Sequence, residues 1–348
     1  MIQRNVKKGD CVKLPRNSVL SGSNDNGEYE QKIRPSKIDE VIGRETEKKA
    51  INMMVGSAKK RGEPVDHMLF YGPPGLGKTT FATAISNEIG SALHITSGPA
   101  IERQGDLAAI VTNLGENDVL FIDEIHRLSR VVEEILYPVM EDRVLDIVVG
   151  KGPSAKTIRL SLKPFTLIGA TTNIGKLSSP MRDRFGLVQR LDYFNESDLF
   201  KILQRAVIVW GMSFNDDALE EIAKRSRGTA RVALRLLRRV RDYYESVPTK
   251  EKSVSSKVAL EALDLLGVDS FGFEDIDRMI LDIIWRNYNG GPVGVSTLAA
   301  AISEEEGTLM GVYEPFLMKS GFLKRTVRGR VLTEKALEYL MKNSNKKC

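Results

Sequence analysis

Residues Gly72-Pro73-Pro74-Gly75-Leu76-Gly77-Lys78-Thr79 fill each specified place of the phosphate-loop pattern G-x-x-x-x-G-K-[ST]. The pattern constrains the fold because it works only between a strand and the first turn of a helix. Its three glycines let the backbone turn tightly and aim N–H groups at phosphates, Lys78 adds a positive charge, and the Thr79 hydroxyl suits magnesium. A Gly/Pro-rich surface turn is the competing reading. The flanks argue against it: His67 to Tyr71 reads as a short apolar strand, and Thr80 to Ile89 has helical apolar spacing. A nucleoside triphosphate and Mg2+ are the ligands this segment leads us to expect, with Gly75, Gly77, Lys78, Thr79 and Thr80 on the phosphates.

Further along, Asp118 and the apolar Val119-Leu120-Phe121-Ile122 lead into Asp123-Glu124, a buried parallel strand ending in two acids. With Thr79, Asp123 is the expected magnesium ligand. Glu124 is the expected base that orients the attacking water. Another strand, Phe165 to Ala170, ends in Thr171-Thr172-Asn173, and polar residues at that end of a strand face the ligand crevice of an open α/β sheet. Arg182 and Arg184 follow on either side of Asp183. Taken alone they read as ordinary surface ion-pair partners of Asp183.

Five strand candidates alternate with helical segments: His67 to Tyr71, Leu93 to Thr96, Val119 to Ile122, Phe165 to Ala170 and Val188 to Leu191. Such alternation predicts an α/β domain whose parallel sheet is covered on both faces. Leu145 to Val149 and Thr157 to Leu162 flank Gly150-Lys151-Gly152-Pro153 and predict a β-hairpin inserted into that domain. Residues 1–29 are polar and aperiodic and read as a tail. The nucleotide domain is expected over 30–194, an all-helical domain over 195–267, and a winged-helix domain over 268–342, with a wing turning at Arg328-Gly329-Arg330.

At 348 residues, 42% of them apolar, the chain has material for several cores. No apolar run is long enough to cross a bilayer, the start lacks a secretory pattern, and a cytosolic protein is expected. Cys11 and Cys348 sit at the two ends and read as free thiols. The net charge of +5 is modest, but Arg225 to Arg241 holds seven arginines and Lys319 to Arg330 five Lys or Arg, with no acid in either. A solvated face explains one such run; two runs on separate modules favour anionic partners. Arg325, Arg328 and Arg330 are the expected DNA-backbone contacts, a grip that carries affinity without sequence information.

The ordered set Arg34-Pro35, Gly72 to Thr80, Phe121-Ile122-Asp123-Glu124-Ile125-His126, Gly169-Ala170-Thr171-Thr172 and Arg182-Asp183-Arg184-Phe185-Gly186 resembles the RuvB family, AAA+ motors of Holliday-junction branch migration. Glu133 to Pro138, Arg225 to Thr229 and Arg325 to Arg330 add matches narrower than AAA+ proteins at large. The resemblance implies a homohexameric ATPase that translocates double-stranded DNA. It implies a RuvA-type partner at the hairpin near 145–162, and a RuvC-type resolvase in the same complex. It also assigns roles: Ile33 and Arg34 beside the adenine, Glu141, Asp142, Arg143 and Phe194 as nucleotide contacts, and Thr172 as γ-phosphate sensor. Arg231 would act in cis and Arg184 in trans. Three positions depart from the family pattern: Ala230 replaces the proline of a Gly-Thr-Pro-Arg motif and removes its preset backbone angle, whereas Asn173 and Phe194 leave the magnesium and phosphate ligands untouched. A clamp-loader-like or initiator-like ATP switch would share the nucleotide motifs, and an ATPase-dead DNA-binding module is a third reading.

Overall fold

The computed structural model describes residues 33–149, 156–248 and 252–344. The expected tail over 1–29, both cysteines and the hairpin turn at 150–153 lie outside them. Two units divide the chain, Met1–Arg34 and Pro35–Cys348; all that follows concerns the second unless stated.

Helix α1 (Glu45–Arg61) precedes β1 (Met68–Tyr71), the phosphate loop and α2 (Lys78–Ile89). Then come β2 (Leu93–Ser97), α3 (Gln104–Thr112), β3 (Asp118–Asp123), α4 (Arg130–Glu141), the hairpin β4 (Val144–Val149) and β5 (Lys156–Ser161), β6 (Phe165–Thr171), α5 (Ser179–Asp183) and β7 (Leu187–Arg190). Five strands form one sheet in the order β2-β3-β6-β1-β7, every pair parallel. Successive side chains of a strand point to opposite faces. Leu69 accordingly enters one core with Leu120, Ile122 and Leu136, while Met68 and Phe70 enter the other with Phe81, Ile85 and Phe121. With both faces covered, β3 and β6 are buried nearly end to end, which is why they read as unbroken apolar runs.

His67, expected in β1, stands just before it. Its ring Nδ1 accepts from the Leu167 amide at 2.8 Å and its Nε2 lies 3.1 Å from the Met140 carbonyl, so the side chain staples the amino edge of the sheet to the end of α4. The hairpin pairs Val144 with Ser161 through Val149 with Lys156, one residue earlier on each arm than the sequence suggested.

The helical segment comprises α6 (Glu196–Trp210), α7 (Asp216–Lys224), α8 (Ala230–Ser246) and α9 (Ser256–Leu265). Asn195 caps α6 by accepting from the Asp198 amide, and Thr229 caps α8 by accepting from Val232. The last module holds α10 (Asp275–Tyr288), α11 (Val295–Ile302), α12 (Glu306–Thr308), a π-helical stretch Leu309–Tyr313, α13 (Glu314–Lys319), strands β8 (Leu323–Thr326) and β9 (Gly329–Leu332), and α14 (Glu334–Ser344). Phe273, Phe322 and Tyr339 meet edge to face at its centre.

Three expectations change here. Thr308 to Lys319, expected as a single helix, is not one regular α-helix, because Pro315 supplies no amide to the preceding turn and the backbone widens just before it. The wing turns at Val327-Arg328, and Gly329 and Arg330 belong to its second strand. Helix α14, absent from the sequence reading, closes the core through Ala336, Tyr339 and Leu340.

Candidate functional site

The carboxyl ends of β1, β6 and β3 bring the motifs together. The Gly72 amide donates to the Thr171 carbonyl at 3.1 Å, so the phosphate loop leaves the sheet beside Thr171 and Thr172. Gly75 (φ 78°) and Gly77 (φ 91°) take left-handed conformations that favour glycine. Gly72 has a second reason: a Cβ there would strike the Leu191 carbonyl. Lys78, buried at the start of α2, donates to the Gly72 and Pro73 carbonyls at 2.8 and 2.9 Å. Burial lowers its pKa, with Asp123 and Glu124 opposing. An ammonium satisfied only by its own loop's carbonyls, over glycine amides at a helix start, is a cradle for a polyphosphate.

Asp123 and Glu124 stand half-buried at the end of β3. The Asp123 carboxylate accepts from the Glu124 amide at 2.9 Å. Glu124 takes a left-handed backbone (φ 49°), accepts from the Thr172 hydroxyl at 3.1 Å and lies 3.1 Å from His126 Nδ1. The same His126 nitrogen is 2.8 Å from the Thr171 hydroxyl. Burial lowers the His126 pKa, Glu124 pulling the other way. The expected sensor and the expected base are thus hydrogen-bonded to each other, with His126 as a third member that the sequence reading did not assign. One carboxylate, Asp123, and one hydroxyl, Thr79, offer hard oxygen donors. Among the described residues no cluster of three or more His, Cys, Asp or Glu could hold a metal alone. That donor set fits Mg2+, which takes few protein ligands and completes its shell with water and phosphate.

The helical segment covers the loop: a Cβ on Gly75 would come within 2.8 Å of the Arg231 Cβ, so α8 begins against the phosphate loop. Phe194 reaches the same place, its amide donating to Gly228 at 2.9 Å. Above its ring, at 4.3 Å, lies the guanidinium of Arg44, a residue that nothing local in the sequence distinguishes from a surface arginine. Ile33 and Arg34, the expected adenine contacts, belong to the N-terminal unit that ends at Arg34.

Glu141, Asp142, Arg143 and Arg184 lie elsewhere. Arg184 donates to the Pro180 carbonyl at 2.7 Å, pairs with Glu141 at 3.2 Å and rests over the Tyr137 ring at 4.2 Å. Ser178 and Tyr137 both donate to Glu133, which fixes that ring. Since His67 ties Met140 to the start of β1, this group sits at the amino edge of the sheet, a strand's length from the loop at the carboxyl edge. Glu141, Asp142 and Arg143, expected as nucleotide contacts, thus stand apart from the phosphate loop of their own chain.

The basic clusters also divide. Arg225 pairs with Glu221, Arg227 with Asp277, Arg235 with Glu274 at 2.7 Å, and Arg239 and Arg241 with Asp242; Arg238 is buried near Trp210. This run is mainly internal scaffolding, not the anion-binding face expected from its charge. In the wing, Lys324, Arg325 and Arg328 are exposed. Arg330 is 5% exposed and doubly bonded to Glu314, itself 2% exposed, so its assignment as a DNA contact is corrected: it fixes the wing to α13.

Comparison with known proteins agrees with this architecture. Residues 33–191 match the model of the Holliday junction DNA helicase RuvB P-loop domain, 194–269 the RuvB AAA lid domain, and 270–341 the RuvB C-terminal winged helix domain. A Holliday junction branch migration complex subunit RuvB from Fusobacterium nucleatum is 55% identical over 316 residues, 90% of this chain and 94% of the relative. Among solved structures, the Thermotoga maritima RuvB Holliday junction branch migration motor is 46% identical with a TM-score of 0.80, covering 89% of this chain and 99% of that one. A proline-to-glycine variant of the Thermotoga protein gives 47% and 0.81, covering 88% and 98%.

Proposed function

The chain belongs to the RuvB family of Holliday-junction branch-migration ATPases, and on that footing we propose that it hydrolyses ATP at sites shared between neighbouring copies and passes the motion to duplex DNA. It is an AAA+ ATPase and branch-migration motor. The domains we assign to the work are 30–194 for hydrolysis, 195–267 for the lid and 268–342 for DNA.

In each site Gly75, Gly77, Lys78, Thr79 and Thr80 cradle the triphosphate, and Arg231 approaches from the lid. Thr79 and Asp123 would hold Mg2+, which when bound draws charge from the β- and γ-phosphates. Glu124 orients water and is itself oriented by Thr172 and His126. Phe194 stands beside the nucleotide in this reading, and the adenine roles of Ile33 and Arg34 rest on the family resemblance alone. The observation that carries it is the separation of Arg184 from its own chain's loop by the depth of the sheet, which leaves each site short of a cation that a neighbour can deliver. Glu141, Asp142 and Arg143 travel with Arg184 to that neighbouring nucleotide.

A homohexamer accommodates this exchange, with the hairpin over 145–162 meeting a RuvA-type partner and a RuvC-type resolvase joining the same complex. Arg325 and Arg328 grip phosphates without reading bases. Phosphate release tests the shared site: the rate per chain should rise steeply with protein concentration. Full activity in a dilute, monodisperse monomer would contradict it.

A further inference from the structure

We infer that Arg44 is a positioning residue of the nucleotide site, a clamp that locks the phosphate loop to the hinge segment that leads from β7 into the lid. Its Nη2 donates to the Leu76 carbonyl of the loop at 3.1 Å and to the Asp192 carbonyl of the hinge at 2.7 Å. Its guanidinium carbon sits over Phe194, 4.3 Å from the ring centroid. Three parts of the site thus converge on one planar cation.

The placement is costly, which argues against an incidental contact. The side chain is only 6% exposed, its nearest carboxylate, Glu47, is 3.8 Å away, and Nε is buried without a hydrogen-bond partner among the described residues. Its backbone is left-handed (φ 61°), uncommon for a residue with a Cβ. A buried, undercompensated cation beside a loop built for phosphates gains most when a polyanion occupies that loop. Closing the lid on nucleotide presses Phe194 toward the guanidinium, and the two carbonyl bonds carry that position to Leu76. Lysine cannot substitute, since one ammonium cannot both lie on the ring and bridge two carbonyls in a fixed fork.

This inference rests on the ATPase reading, and the test separates the two. KM and kcat for ATP are measured for the full-length chain, Arg44→Met and Arg44→Lys, with the unfolding midpoint of each. Both variants should raise KM about tenfold while kcat changes far less. An unchanged KM, whatever happens to the midpoint, overturns the clamp and leaves a structural arginine; a KM restored by Arg44→Lys overturns it too, by reducing the role to charge. Should Arg44→Met fail to fold, the KM of Arg44→Lys decides alone. An unmutated chain that released no phosphate would instead defeat the ATPase reading.

Discussion

Arg330 shows how a motif can be right in sequence and wrong in role. Spacing put it in a basic run beside Arg325 and Arg328, but Arg330 is buried against Glu314 while its cross-strand partner Arg325 stays exposed. Removing it strands a buried carboxylate, so Arg330→Ala should destabilise the winged-helix module by about 3 kcal/mol in denaturant unfolding. Arg325→Ala and Arg328→Ala should leave unfolding unchanged and each lower the salt slope of DNA binding by about one. The reverse pattern would return Arg330 to the DNA. His67 gives a second residue-level test. Burial holds its folded pKa below the ordinary value of 6.5, so in acid the unfolded chain takes up a proton that the folded chain refuses. Stability from this group is complete above that value and is lost as pH falls through and below it. The thermal midpoint should therefore drop between about pH 7.5 and 5.5, and drop less in His67→Gln; equal drops would clear His67 of the effect.

Elements were legible where the sequence carries a period or a fixed punctuation. The five sheet strands came through within a residue or two, because apolar runs are local signals. The π-helical turn before Pro315 did not, since it does not follow from spacing, and α14 was passed over although Ala336, Leu337 and Leu340 stand at helical spacing. The phosphate loop, Asp123 and Glu124 were legible for the same local reason. Arg44 and His126 were not, because their partners lie far along the chain and only the fold brings them together. Arg184 belongs to this scale: it is placed by α5 and α4 at the edge away from its own loop. Arg184→Ala and Lys78→Ala should each abolish hydrolysis alone, yet a mixture of the two should recover part of the rate, because one copy's loop meets the other's arginine. No recovery in phosphate release on mixing would place Arg184 outside the shared site.

Across the whole molecule, the lid is bound to the winged-helix module more tightly than a linker would require. Arg227 donates to the Gly272 carbonyl at 2.9 Å and pairs with the fully buried Asp277, and Arg235 reaches Glu274. Helix α8 therefore runs from the phosphate loop at Arg231 to the DNA module at Arg235. Arg235→Ala, at a half-buried pair, should reduce stimulation of ATPase by duplex while basal hydrolysis persists; undiminished stimulation would argue for another route. The direct measurement is strand separation of a labelled four-way junction by the full-length chain with a RuvA-type protein. The account predicts that the junction resolves into duplex arms with ATP and stays intact with Arg184→Ala. Junctions resolved equally well by Arg184→Ala, or left intact by an unmutated chain that hydrolyses ATP, would contradict it.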